Sequence, residues 1–133
     1  MSAWYLDSSA IVKFVVIERE SGAMAAWRAE LDPEDVLMTC ELAVAEVVRA
    51  VRRVDGDLDV ALAHLGSLEQ VVMDRDLMLA AGNLEPAAIR TLDAIHLAAA
   101  VAAGEELGGV ITYDARMAAT ARELGILALA PGN

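Results

Sequence analysis

Four acidic residues in this sequence stand where an ordinary surface role explains them least. Asp7 closes a short apolar run in WYLDSSAIVKF, and Asp114 closes another in GVITYDARM. Asp93 lies in RTLDAIHLAAA, at the second or third position of a helical pattern. Glu46 lies in ELAVAEVVRAV, where Leu42 to Val51 is otherwise apolar or Ala apart from Arg49. A glutamate in such a stripe is costly to bury without compensation. Each acid also has a local explanation. Asp7 and Asp114 could cap the helices that follow them. Asp93 could complement a helix dipole, worth about 0.3–1 kcal/mol, and Glu46 could pair with Arg49 one turn on. The other acids sort more simply. Glu18, Glu20, Glu30, Glu34 and Asp35 fall on a helix end or in a loop, Asp55, Asp57 and Asp59 flank Gly56 as turn and cap residues, and Glu105, Glu106 and Glu123 are solvated.

If the four acids converge, they repel one another, and either a proton or a cation must sit among them. Carboxylate oxygens without a Cys or His set select a hard ion, Mg²⁺ or Mn²⁺. Such an ion keeps several waters, orients one for attack and neutralises charge on a phosphate. The chemistry implied is metal-assisted phosphodiester hydrolysis.

Convergence depends on the elements that carry the acids. Short β-prone runs at Ala3–Leu6, Val36–Thr39, Gln70–Met73, Gly109–Tyr113 and Ile126–Leu129 alternate with helical patterns. Those patterns cover Ser9–Ile17, Gly22–Leu31, Glu41–Val54, Leu58–Leu68, Arg75–Ala81, Leu92–Ala103 and Ala115–Leu124. Ser8 or Ser9 and Thr91 are the expected N-caps of the first and sixth helices; Gly104 and Gly125 are the expected stops of the last two. Alternating strands and helices read as parallel βαβ units. Strands apolar on both parities suit a sheet covered on both faces. The expected fold is α/β, a three-layer α/β/α sandwich with a roughly five-stranded parallel sheet, forming one domain over residues 1–133. In such sheets ligands bind at the carboxyl ends of the strands, which is where Asp7 and Asp114 fall.

Composition narrows the function further. A net charge of −11 argues against a broad basic face for nucleic acid. It leaves room for an enzyme that meets phosphates through bound cations, and it would attract a basic partner. No apolar run approaches the ~20 residues of a membrane helix, and the N-terminus lacks a basic signal-peptide region. A single cysteine, Cys40, reads as a small buried residue and fits a reducing cytoplasm. The apolar fraction of 57% suggests an interface with a partner or a second copy, or else simply reflects abundant Ala.

The segments YLDSSAIVK, ELAVAEVVRA, IRTLDAIHLAAA and ITYDARMAATARELGI resemble, in order and spacing, the PIN-domain ribonucleases, and among them the VapC-type toxins of bacterial toxin–antitoxin pairs. The resemblance runs essentially end to end. It implies a Mg²⁺- or Mn²⁺-dependent endoribonuclease, a homodimer, and neutralisation by a cognate antitoxin; the acidic balance and the apolar surplus add the expectation that the antitoxin's C-terminal segment is basic and apolar. By motif match Asp7, Glu46, Asp93 and Asp114 fall on the family's four acidic positions, Thr112 on its hydroxyl position and Ser8 on its small polar one. Met117, Ala118 and Ala119 stand where some relatives carry a further Asp, which removes one expected ligand of a second ion.

On this reading Asp7 and Asp93, with Asp114 directly or through water, hold the principal ion, and Glu46 touches its water or a second ion. Ser8 and Thr112 support the carboxylates. Lys13, Arg90 and Arg116 lie near the motifs and could reach substrate phosphates, or else form ordinary surface pairs. Arg49, Arg52 and Arg53 read as the solvated end of their helix. His96, one turn beyond Asp93, either touches the site or packs beneath it, and His64 carries no signal. An antitoxin segment would occupy an apolar groove beside the acids, lined by the first three helices. Two rivals remain: a PIN fold that only binds, and a receiver-like domain using Asp74, for which the required late Lys is missing.

Overall fold

A computed structural model describes residues 1–133. Five parallel strands, β1 (Ala3–Leu6), β2 (Val36–Cys40), β3 (Glu69–Val71), β4 (Leu107–Ile111) and β5 (Ala128–Leu129), form one sheet in the order β3-β2-β1-β4-β5. Seven helices connect them: α1 (Ser8–Val15), α2 (Ser21–Ala29), α3 (Leu42–Arg53), α4 (Leu58–Gly66), α5 (Arg75–Gly82), α6 (Thr91–Val101) and α7 (Ala115–Glu123). The expected three-layer sandwich is therefore the observed one. The strand order also excludes the receiver-like rival, whose sheet runs 2-1-3-4-5.

Side-chain alternation along the strands sorts the two faces. Ala3, Tyr5, Met38, Cys40 and Val110 pack with α5, α6 and α7. Leu6 and Ile111 pack with α1, α2, α3 and α4. Helix α6 is buried from Ala94 through Leu97 to Ala100; its alanines let it lie close over β2 and β4, with α5 against its outer side. No helix is long and apolar enough to cross a membrane.

Two glycines in β4 answer to close neighbours. A Cβ on Gly108 would meet the Trp4 ring at 2.9 Å, and one on Gly109 would meet the Leu127 carbonyl oxygen at 2.8 Å. Trp4 itself is anchored by its indole N–H, which donates to Asp35 Oδ2 at 3.0 Å.

Element ends differ from expectation where side chains compete for backbone donors. β4 was expected over Gly109–Tyr113 and spans Leu107–Ile111. The ladder ends early because the Tyr113 N–H donates to Ser9 Oγ (2.9 Å) and the Asp114 N–H to Thr112 Oγ1 (3.0 Å). Helix α1 begins at Ser8 and its N-cap is Asp7, not a serine. Helix α6 begins at Thr91, with Arg90 in the cap position and no side-chain cap bond. Gly125, at φ +78°, does follow α7 as expected.

Candidate active site

β1 lies at the centre of the sheet. The chain steps outward from it through β2 and β3 on one side and through β4 and β5 on the other. The crevice at the carboxyl ends of β1 and β4 is the switch point where ligands bind in such sheets. Pairing of Leu6 with Ile111 brings the next residues, Asp7 and Thr112, side by side.

Asp7 is 4% exposed. Its Oδ1 accepts from the Ala10 N–H at 3.1 Å and from Ser9 Oγ at 2.6 Å, and its Oδ2 accepts from Thr112 Oγ1. A carboxylate offers about four lone-pair positions, so one acceptor position stays open. No Lys or Arg pairs with Asp7. Burial pushes its carboxyl above the ordinary carboxylate range, and the Ser9 and Thr112 hydroxyls act against that.

Asp114 caps α7, its Oδ1 accepting from the Arg116 N–H (2.9 Å) and the Met117 N–H (3.2 Å). Its own N–H donates to Thr112 Oγ1, so one hydroxyl joins the Asp7 carboxylate to the Asp114 backbone. Asp93, third residue of α6, is half-buried. Its carboxyl is raised by burial and then by the negative charge of Asp114. Mutual repulsion of this kind marks acids that share one neighbourhood.

Glu46 points out of α3 toward the same edge. Its Oε1 accepts from Ser8 Oγ at 3.2 Å and from His96 Nε2 at 2.6 Å. The alternative pair with Arg49 does not form. His96 is 3% exposed, with Nδ1 2.7 Å from the Tyr5 hydroxyl and 3.8 Å from Cys40 Sγ. Burial by itself favours its neutral form; the contacts with Cys40 and Glu46 outweigh that and raise its pKa to about 10. The short contact with Glu46 favours the protonated ring. Tyr5, His96, Glu46 and Ser8 form a continuous chain from the α6 layer to the start of α1.

Two clusters result, joined by consecutive residues of α1. Ser9 belongs to the Asp7–Thr112–Asp114 cluster, and Ser8 to the Glu46–His96–Tyr5 cluster. Ser8 and Thr112 touch carboxylates as expected. Ser9 was expected only to start the helix; instead it holds Asp7 and ends β4. Its signal was a second hydroxyl immediately before an apolar helix interior, which also reads as an ordinary cap. His96 packs beneath the site and also reaches into it.

No three His, Cys, Asp or Glu side chains converge closely enough to enclose an ion by themselves. The donors nevertheless suit Mg²⁺ or Mn²⁺. They are carboxylate oxygens, one acceptor position of Asp7 is open, and Asp114 repels the Asp93 carboxylate, an effect that Arg116, His96 and Arg90 each oppose more weakly. An ion that keeps most of its waters needs only one or two direct carboxylates.

A groove of about 510 Å³ opens beside Glu46, between α1 and α3, lined by Ser8, Ser9, Lys13, Glu18, Arg49 and Arg53 among others. It is charged, so the expected apolar groove over three helices is not found there. Polar side chains reach it because both helices turn their apolar stripes to the core. Lys13 is engaged, 3.2 Å from Glu20 and 3.4 Å from Glu18, and it lies 4.8 Å over the Tyr113 ring. Arg90 and Arg116 are exposed, at the starts of α6 and α7.

The sequence and the fold match known proteins. Residues 4–123 match the PIN domain family. Ribonuclease VapC46 of Mycobacterium tuberculosis is 44% identical over 98% of this chain and 99% of its own length. Ribonuclease VapC35 of the same species is 38% identical over 97% of each. The crystal structure of Mycobacterium tuberculosis VapC20, a sarcin–ricin-loop-cleaving toxin, superposes with a TM-score of 0.73 over 96% of this chain and 99% of that one, at 17% identity. The chain belongs to the PIN-domain family, in its VapC ribonuclease branch.

Proposed function

We propose that this protein is the RNA-cleaving toxin of a toxin–antitoxin pair, a Mg²⁺- or Mn²⁺-dependent endoribonuclease acting at Asp7, Glu46, Asp93 and Asp114. The observation that carries this reading is Asp7: a carboxylate buried at the switch point, fixed by two hydroxyls, paired with no Lys or Arg and left with an open acceptor position. The names of the VapC relatives give the substrate class.

The bound ion supplies charge neutralisation at the scissile phosphate and a more acidic water. Asp7, Asp93 and Asp114 offer the oxygens that hold it. Ser9 and Thr112 fix the orientation of the Asp7 carboxylate, as groups behind metal ligands do. Ser8 and His96 bind only Oε1 of Glu46, leaving Oε2 to accept a hydrogen bond from the attacking water. Arg90 and Arg116, exposed at the starts of α6 and α7, would meet phosphates on either side of the scissile bond. The protein acts in the cytoplasm as a homodimer, and a cognate antitoxin with a basic, apolar C-terminal segment silences it by placing a cation among the acids.

Cleavage of labelled RNA by the purified protein tests the reading. Activity should require Mg²⁺ or Mn²⁺, vanish in EDTA and be lost in a folded Asp7→Asn variant. Full activity in that variant, or in EDTA, would falsify it.

A further inference from the structure

We infer that Arg49, Arg52 and Arg53 form the phosphate track along which the RNA strand approaches the carboxylates. This deepens the proposed ribonuclease reading and assigns a surface to it. The chain carries 10 Lys and Arg against 21 Asp and Glu, yet three of the ten fall within five residues of α3. All three are exposed, and none makes an ion pair or a side-chain hydrogen bond. Glu46, the acid one turn before Arg49, gives Oε1 to Ser8 and His96 and so leaves Arg49 free. Lys13, the other cation of the groove, is held by Glu18 and Glu20.

The arginines are also placed in sequence along a path. Arg49 and Arg53 line the 510 Å³ groove that holds Ser8, Ser9 and Glu46. With Arg52 they alone line an adjoining hollow of about 270 Å³. Arg49 and Arg53 are four residues apart on one helix face, about 5–6 Å between Cβ atoms. Planar guanidiniums match phosphate oxygens two at a time. A basic track running from Glu46 adds phosphate affinity that this acidic surface otherwise offers only at scattered cations, since phosphate affinity comes from Lys and Arg.

The test measures binding of a labelled, mixed-sequence single-stranded oligoribonucleotide to the full-length Asp7→Asn protein by fluorescence anisotropy, across a KCl series. The R49Q/R52Q/R53Q set in the same background should weaken binding at least tenfold at low salt. It should also flatten the salt dependence by roughly 0.7 per arginine removed. Arg→Lys at the three positions should restore the slope, and Arg75→Gln on α5 should leave both quantities in place. In the otherwise unaltered enzyme, R49Q/R53Q should raise KM for RNA. Unchanged affinity and slope in the triple variant overturn the track, as does absence of RNA binding in every variant. Arginine-dependent binding of polyglutamate without any effect on RNA also overturns it and assigns the face to an acidic protein segment. Cleavage by the native enzyme with no arginine effect leaves the ribonuclease reading standing and removes the track; arginine-dependent binding without cleavage does the reverse.

Discussion

Asp7 and Asp74 are the same local device in two different places. Both follow a strand and cap the next helix, with nearly identical backbones: φ −80°, ψ 176° at Asp7 and φ −83°, ψ 179° at Asp74. Both accept from the amide three residues on, Ala10 at 3.1 Å and Leu77 at 2.9 Å. Asp74 follows the edge strand β3, is exposed and has no other partner. Asp7 follows the central strand, where β4 brings Thr112 across and α1 brings Ser9 back. Capping is therefore compatible with the metal-ligand role proposed for Asp7. The neighbouring strand distinguishes the two, because only a carboxylate between two strand ends can be both buried and held by hydroxyls.

Substitutions can break this contrast at graded strengths. The largest effect falls on Asp7→Asn, which keeps a good cap but removes the charge. Loss of several kcal/mol of transition-state stabilisation should lower RNA cleavage by about three orders of magnitude, with Tm at or above that of the native protein because a buried charge is gone. Asp74→Asn should cleave normally in the same assay. Thr112→Val strips one hydroxyl from Asp7 and from the Asp114 N–H. Cleavage should fall about 10- to 100-fold, the range for groups that orient metal ligands, and a matching fall in Mn²⁺ affinity by calorimetry would locate the cause. His96→Leu releases Glu46 and the Tyr5 hydroxyl, so cleavage should fall by about tenfold. If the loss is seen in KM alone, with kcat intact, His96 does not position Glu46. The smallest effect is Asp74→Ala, which should cost about 1 kcal/mol of stability in urea unfolding with cleavage unchanged.

Much of this was legible in the sequence because the fold repeats one local rule. Apolar runs of four or five residues followed by helical patterns located all five strands and seven helices. The acids at their ends then fell on one edge of the sheet. Boundaries were less legible where a side chain takes a backbone donor. Nothing local in GVITYDARM says that the Tyr113 amide will turn to Ser9, more than 100 residues away in the chain. Glu46 and Arg49 had a plausible helical pairing, but His96 won Glu46 through a part-buried contact 50 residues distant. The arginines of α3 read as a solvated helix end because their spacing says nothing of the groove that α1 builds beside them. What stayed hidden in each case was a contact between elements, set by strand order, while the elements themselves were local.

The most direct test of Asp7 as a metal ligand is a Mn²⁺ titration followed by thermal unfolding, run in parallel on the native protein, Asp7→Asn and Asp74→Asn. An ion bound only by the folded state stabilises it by about 2.7 kcal/mol at a hundred times its Kd. The native protein and Asp74→Asn should show the same saturable rise in Tm, and Asp7→Asn should show little or none. An undiminished rise in Asp7→Asn, or no rise in the native protein, would contradict the assignment.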